Sequence, residues 1–189
     1  MNKKIAFIFG ITGQDGSYLA NLLIDKNFKI FGFTRSKKKK NLVNLEKLSI
    51  LDKVSLFEYL KNDNKFIEKK ILKIKPSQIY ILSGLSSVKQ SFSSPIETYR
   101  SNIIIPFKIL EICRKKKLDI KIYNSVSTDC FGNQKTKLNE KSNFYPVSPY
   151  AKSKSYVYWL IKYYRETFNV KCVSGIVSNH ESILRNKNF

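Results

Sequence analysis

The chain has 189 residues, with 35 Lys+Arg against 14 Asp+Glu and a formal net charge of +21. Hydrophobic residues make up 42% and aromatic residues 13%, enough for a real core, which excludes an intrinsically disordered chain; no stretch approaches the ~20 apolar residues of a membrane span. Only Arg35, Arg100, Arg114, Arg165 and Arg185 supply arginine, and the lysines are spread among many Asn and Ile, so the charge reads as solvated lysine faces with no nucleic-acid partner.

Ile5–Phe9 is a short apolar run closed by Gly10, a buried-strand signal. Ser17–Lys26 carries Leu19, Leu22 and Leu23 at helical spacing. Lys29–Thr34 reads as a second strand, Lys37–Lys40 as a solvated loop and Val54–Tyr59 as a third strand. Phe66, Ile67, Ile71 and Ile74 mark a helix stopped by Pro76. Gln78–Leu82 is a fourth strand, Pro95–Lys117 a long helix, and Lys121–Ser127 a fifth strand followed by a polar loop through Pro149. Tyr150–Phe168 is a second long helix and Lys171–Val177 a sixth strand. Phe131, Tyr145, Tyr156, Tyr158, Trp159, Tyr163 and Tyr164 read as core or as a subunit interface. The alternation predicts an α/β fold, a Rossmann-like doubly wound parallel sheet with helices on both faces.

Gly10-Ile11-Thr12-Gly13-Gln14-Asp15-Gly16 follows a strand directly and opens a helix. Gly10 permits the tight turn, Gly13 lets a pyrophosphate approach the backbone at the helix N-terminus, and Gly16 lets the helix pack close to the strand. The spacing is G-x-x-G-x-x-G rather than the commoner G-x-G-x-x-G. After the second strand stands Thr34-Arg35-Ser36, without the carboxylate that holds the ribose 2′-hydroxyl of NAD. Arg35 can fork onto a 2′-phosphate, which favours NADP as cofactor.

Tyr150 and Lys154 lie four apart at the start of a helix and share a face. A nearby ammonium stabilises tyrosinate, and such a tyrosine can act as acid or base toward an alcohol whose hydride leaves for nicotinamide. Ser127-Thr128 at a strand end supplies the hydroxyl that completes the set. His180 is the only histidine, and the dispersed cysteines offer no zinc-ligand spacing, so no metal is expected. No G-x-S-x-G elbow is present, which disfavours a serine hydrolase. Cys113, Cys130 and Cys172, scattered and odd in number, fit a reducing cytoplasm, as does an N-terminal apolar run too short for a signal peptide.

Six segments carry a family resemblance: Gly10–Ala20, Leu82–Val88, Ser91–Pro95, Phe144–Lys154, Tyr158–Glu166 and Gly175–Ser182. Through them the chain resembles the extended short-chain dehydrogenase/reductase superfamily, and within it the GDP-mannose 4,6-dehydratase family, from residue 5 to about residue 185. The resemblance implies that NADP lies across Gly10–Asp15, Arg35, Leu82, Ser83, Gly84, Leu85, Ser86, Tyr150, Lys154, His180 and Arg185. It implies that Tyr150 takes the proton of the sugar 4-hydroxyl, that Ser127 (or, after a one-residue slip, Thr128) holds the sugar O4, and that Asp129 removes the C5 proton. Ser87 and Asn179 would touch the nucleotide-sugar substrate, GDP-mannose. Residues 1–177 would form the NADP-binding domain, and 178–189 would open a substrate-binding part that is mostly absent. The helices Pro95–Lys117 and Tyr150–Phe168 would pair across the interface of a homodimer or homotetramer.

Several positions depart from the family pattern. Ser127-Thr128-Asp129 stands for Thr-Ser-Glu, Cys130-Phe131-Gly132 for Leu-Tyr-Gly, Leu85-Ser86-Ser87 for Gln-Ser-His, and Ile183-Leu184 for Pro-Arg. Asp for Glu shortens the base by one methylene, and a misplacement of about 1 Å can cost about a hundredfold in rate. Tyr59-Leu60 stands where the family has a Gly-Asp pair that contacts adenine. Two other readings stay open: a sugar-nucleotide epimerase or reductase of the same superfamily, and a degenerate cofactor-binding or partner-binding remnant without activity.

Overall fold

A computed structural model describes residues 3–59 and 64–185; the 186–189 part of the 178–189 segment, and Leu60, lie outside the described residues. The elements in chain order are β1 (Ile5–Phe9), α1 (Gln14–Asp25), β2 (Lys29–Thr34), α2 (Val43–Lys47), β3 (Val54–Glu58), α3 (Asn64–Ile74), β4 (Gln78–Ile81), α4 (Val88–Ser93), α5 (Pro95–Lys115), β5 (Lys121–Ser127), α6 (Pro149–Phe168) and β6 (Cys172–Val177). All six strands and four longer helices fall where the apolar patterns put them. The 3-10 turns at Lys39–Asn41 and Thr128–Phe131 begin in stretches that read as loop, while the short helices α2 and α4 and the 3-10 turn at Leu51–Lys53 lie where the sequence suggests no element.

The strands follow the order β3-β2-β1-β4-β5-β6 in one sheet. The pairs β1–β2, β1–β4 and β2–β3 are parallel. The order reverses beside β1, and in open α/β sheets ligands bind outside the carboxyl ends of the strands at that point. The residues group into two compact units. Among the described residues the first comprises 3–59, 64–83, 118–122 and 182–185, the second 84–117 and 123–181.

In the first unit, alternation along β1 feeds two layers of core. Ala6 and Ile8 pack with Ala20 and Leu23 of α1 and Leu45 of α2. Phe7 and Phe9 point the other way, into an aromatic ladder. Phe9 stacks on Phe33 at 4.3 Å, Phe31 stacks on Phe57 at 5.7 Å, and Phe66 of α3 meets Phe57 edge-on at 6.1 Å. Lys70 Nζ caps the ladder 4.0 Å over the Phe57 ring.

In the second unit, α5 and α6 bury Ile105, Ile109, Val157 and Ile161. The Tyr164 hydroxyl donates to Glu111 Oε1 at 2.6 Å, and Arg114 Nε donates to the same oxygen at 2.7 Å. Glu111 is thereby held down to a pKa of about 2, chiefly by Arg114 and then by Tyr164. Of the aromatic set, Phe131 and Tyr164 are core, whereas Tyr145, Tyr156, Trp159 and Tyr163 are exposed. Among the described residues no helix is long and apolar enough to cross a membrane.

Candidate active site

The turn after β1 is built from close approaches that only glycine permits. Gly10 has φ +85°, and a Cβ there would sit 2.8 Å from Ser83 N. Its N–H donates to Phe33 O, and its carbonyl accepts from Gly13 N, each at 3.0 Å. A Cβ on Gly16 would collide with the Gly10 carbonyl oxygen, so the close packing of helix on turn is real. Ser17 Oγ donates to Ile11 O at 2.9 Å, and Asn44 of α2 donates to Thr12 O at 3.2 Å, tying the turn from both sides.

Helix α1 begins at Gln14, three residues before the leucine pattern suggested, with Gly13 as N-cap and no side chain capping it. Gly13 is exposed, and among the described residues beyond its chain neighbours a Cβ there would meet only Gly10 O, at 3.3 Å. An uncapped, open helix N-terminus suits an anion. The hydroxyl of Ser83, at the end of β4, is buried without a hydrogen-bond partner among the described residues. Such an orphan bordering the turn also fits a ligand-lined edge. The residues of the first unit therefore suit a bound dinucleotide.

Arg35 is exposed directly after β2. A carboxylate does stand nearby, though from β3: Glu58 pairs with Thr34 across the sheet, and its Oε2 accepts the Lys37 N–H at 3.2 Å. Gln14 and Ser182 are joined, with Ser182 Oγ donating to Gln14 Oε1 at 2.9 Å. Arg185 follows on this segment, its N–H donating to Ser182 O at 3.1 Å.

The second unit carries the hydroxyl, phenol and ammonium. Helix α6 starts cleanly because Ser148 Oγ accepts the Ala151 N–H at 3.0 Å and Pro149 occupies its first turn. Tyr150 and Lys154 are both buried, at 8% and 9% exposure. Lys154 Nζ donates to Ser125 O of β5 at 3.0 Å and lies 5.8 Å from the centre of the Tyr150 ring. A buried ammonium held by a carbonyl thus stands beside the phenol ring.

Ser127 ends β5 with its Oγ donating to Asp129 Oδ2 at 3.1 Å and accepting the Asp129 N–H at 3.2 Å. Thr128 is half-buried beside them. Cys130 is fully buried and its Sγ lies 3.8 Å from Ala151 O; burial raises its pKa and keeps it a thiol. The remaining expected residues are less engaged. Ser86 and Asn179 are exposed, Ser87 Oγ caps α4 by accepting the Gln90 N–H at 3.2 Å, and exposed His180 places Nδ1 2.8 Å from Ser178 O.

Sequence reasoning missed Asn102. It is 3% exposed, and its Nδ2 donates to Ser153 Oγ at 2.8 Å and to Leu85 O at 3.2 Å. Ser153 Oγ in turn donates to Tyr150 O at 2.6 Å. One amide thus joins the Gly84–Leu85 loop to the first turn of α6. The signal was present: Thr98, Asn102, Ile105 and Ile109 share the buried face of α5, and an amide on such a face needs partners.

Sheet order, glycine turn and the Tyr-x-x-x-Lys helix define the class, a Rossmann-like α/β protein of the short-chain dehydrogenase/reductase type. The dTDP-glucose 4,6-dehydratase of Bacillus anthracis, crystallised with NAD, superposes with a TM-score of 0.84 at 19% identity, covering 98% of this chain and 58% of that one. A UDP-Glc/GlcNAc 4-epimerase from Campylobacter jejuni gives 0.80 at 19% identity, over 93% and 53%. The sequence model of the family described as GDP-mannose 4,6 dehydratase matches residues 7–189, and the chain belongs to that family. The GDP-mannose 4,6 dehydratase of Drosophila melanogaster is 35% identical over 98% of this chain, and the Vibrio cholerae (El Tor N16961) enzyme is 34% identical over 100%. The chain spans about half the length of the curated relatives it matches, 49% and 53% in these two.

Proposed function

We propose that the chain carries the cofactor half of a sugar-nucleotide 4,6-dehydratase acting on GDP-mannose with NADP. The observation that carries this reading is the buried Tyr150–Lys154 pair, held by Ser125 O, in a chain of this family. The turn Gly10–Gly16 would receive the diphosphate at the N-terminus of α1, and Arg35 would pair with the 2′-phosphate. Bound NADP would supply a hydride acceptor for C4 of the sugar and, once reduced, a hydride donor for C6, so that the net change would be loss of water. Tyr150 Oη takes the proton of the 4-hydroxyl, with the Lys154 ammonium stabilising the phenolate. Ser127 holds O4, and Asp129 removes the C5 proton made acidic by the neighbouring carbonyl as water leaves C6. Residues 178–189 open the sugar-nucleotide part. Exposed Ile96 and Phe107 on α5, with Tyr156, Trp159 and Tyr163 on α6, support a homodimer through these helices.

The test is an assay for a 4-keto sugar product from GDP-mannose, with Tyr150→Phe as control. Product from the wild type and none from the variant supports the reading; equal product from both refutes it. A second reading, oxidation and reduction at C4 without loss of water, is favoured by one observation: Asp129 is occupied by the Ser127 hydroxyl. NADP-dependent change of the substrate without a 6-deoxy product would select it.

A further inference from the structure

Four strand ends of the first unit converge beside the glycine turn: β1 at Gly10, β2 at Thr34, β3 at Tyr59 and β4 at Ser83. The Tyr59 N–H donates to Thr34 O at 3.1 Å. Its buried ring meets Phe9 edge-on at 6.0 Å and Phe33 at 6.3 Å. Phe9 leads into Gly10, whose close approach to Ser83 N leaves no room for a side chain. Phenol and Ser83 hydroxyl are neighbours: burial raises the Tyr59 pKa, while Ser83 and then Arg35 pull it down. The phenol is therefore a protonated donor at neutral pH. The two hydroxyls are not aligned as a hydrogen bond, and Ser83 Oγ, like Ser155 Oγ and Ser174 Oγ, is buried without a partner among the described residues. A buried hydroxyl without a partner is costly, and this one borders the turn where an acceptor-rich diphosphate would lie.

We propose that Tyr59 is a positioning residue for dinucleotide binding: its phenol donates to Ser83 Oγ, so that the Ser83 hydroxyl donates onward to an oxygen of the adenosine-diphosphate half of the ligand over Gly10–Gly13. The inference rests on the dinucleotide reading above. It separates Tyr59 and Ser83, which act on the part common to NAD and NADP, from Arg35, which acts on the 2′-phosphate. It also gives a role to a tyrosine at a position where the sequence departs from the family pattern.

Calorimetric titration of NADP and of NAD into the chain tests it, using wild type, Ser83→Ala, Tyr59→Phe and the double variant, with Tm measured on each. Tyr59→Phe keeps the ring against Phe9 and Phe33 and removes only the hydroxyl. Each single change is expected to weaken both dinucleotides by the same factor, roughly 5–10-fold, the size of one hydrogen bond. The double variant is expected to bind no more weakly than Ser83→Ala, because the two groups act in series. Tm of the unliganded protein stays put. Binding by Tyr59→Phe equal to wild type, multiplying losses in the double variant, or a loss that tracks a fall in Tm overturns the inference and leaves the dinucleotide reading standing. Absence of binding by the wild type removes both.

Discussion

Replacing Asn102 by alanine tests whether the loop after β4 and the head of α6 are held by one buried amide. The substitution removes the 2.8 Å bond to Ser153 Oγ and the 3.2 Å bond to Leu85 O. It also removes the acceptor of Ser101 Oγ at 3.4 Å. Two buried bonds at about 1 kcal/mol each, plus the gap left by the amide, amount to roughly 2–3 kcal/mol. For a chain of this size that corresponds to a fall in Tm of about 5–10 °C. Urea unfolding followed by circular dichroism gives the free energy, and a thermal scan gives Tm. Because Ser153 bonds the Tyr150 carbonyl, any dehydratase rate should fall by more than the unfolded fraction explains. A loss under about 0.5 kcal/mol, the level of an ordinary surface change, would show that the network is decorative.

Gly16→Ala puts a methyl into the Gly10 carbonyl and 2.7 Å from Ile11 Cα; it should cost about 1–3 kcal/mol and weaken NADP binding by displacing the turn, whereas unchanged unfolding and binding would contradict the close-packed helix start. Arg35→Ala should weaken NADP roughly tenfold or more and leave NAD unchanged, as read by titration with both; parallel losses would remove Arg35 from cofactor choice. Glu111, depressed to a pKa of about 2 by Arg114 and Tyr164, contributes stability that is present above its unfolded value near 4.3 and is lost as pH falls toward 2. The gap in urea midpoint between wild type and Glu111→Gln should therefore shrink between pH 6 and pH 3, and a gap that does not move with pH would refute the ion pair's part in it.

The sheet was legible because its strands are short, apolar and flanked by helical spacings. Ile5–Phe9 and Lys29–Thr34 stand in the structure with the predicted bounds. Helix α1 was read too short because leucine periodicity starts at Leu19, while the first turn is polar and capped by glycine backbone alone. Helix α4 was missed for lack of an apolar stripe, yet Ser87 followed by Gln90 is an S-x-x-Q start signal, and Ser87 does cap it. The glycine turn and the Tyr150–Lys154 pair were visible as local spacing. Asn102, Asn44 and the Tyr59–Ser83 neighbourhood were not, because each depends on which distant segments the sheet brings side by side.

Each role proposed for this chain depends on its taking up a pyridine dinucleotide at the turn after β1. Calorimetric titration of NADP into the wild type and into Gly13→Asp measures this directly. Saturable binding with one NADP per chain is expected, and its loss in the variant, whose carboxylate would stand in the open space above the N-terminus of α1. No uptake of NADP or NAD by the wild type, or equal binding by Gly13→Asp, would contradict it.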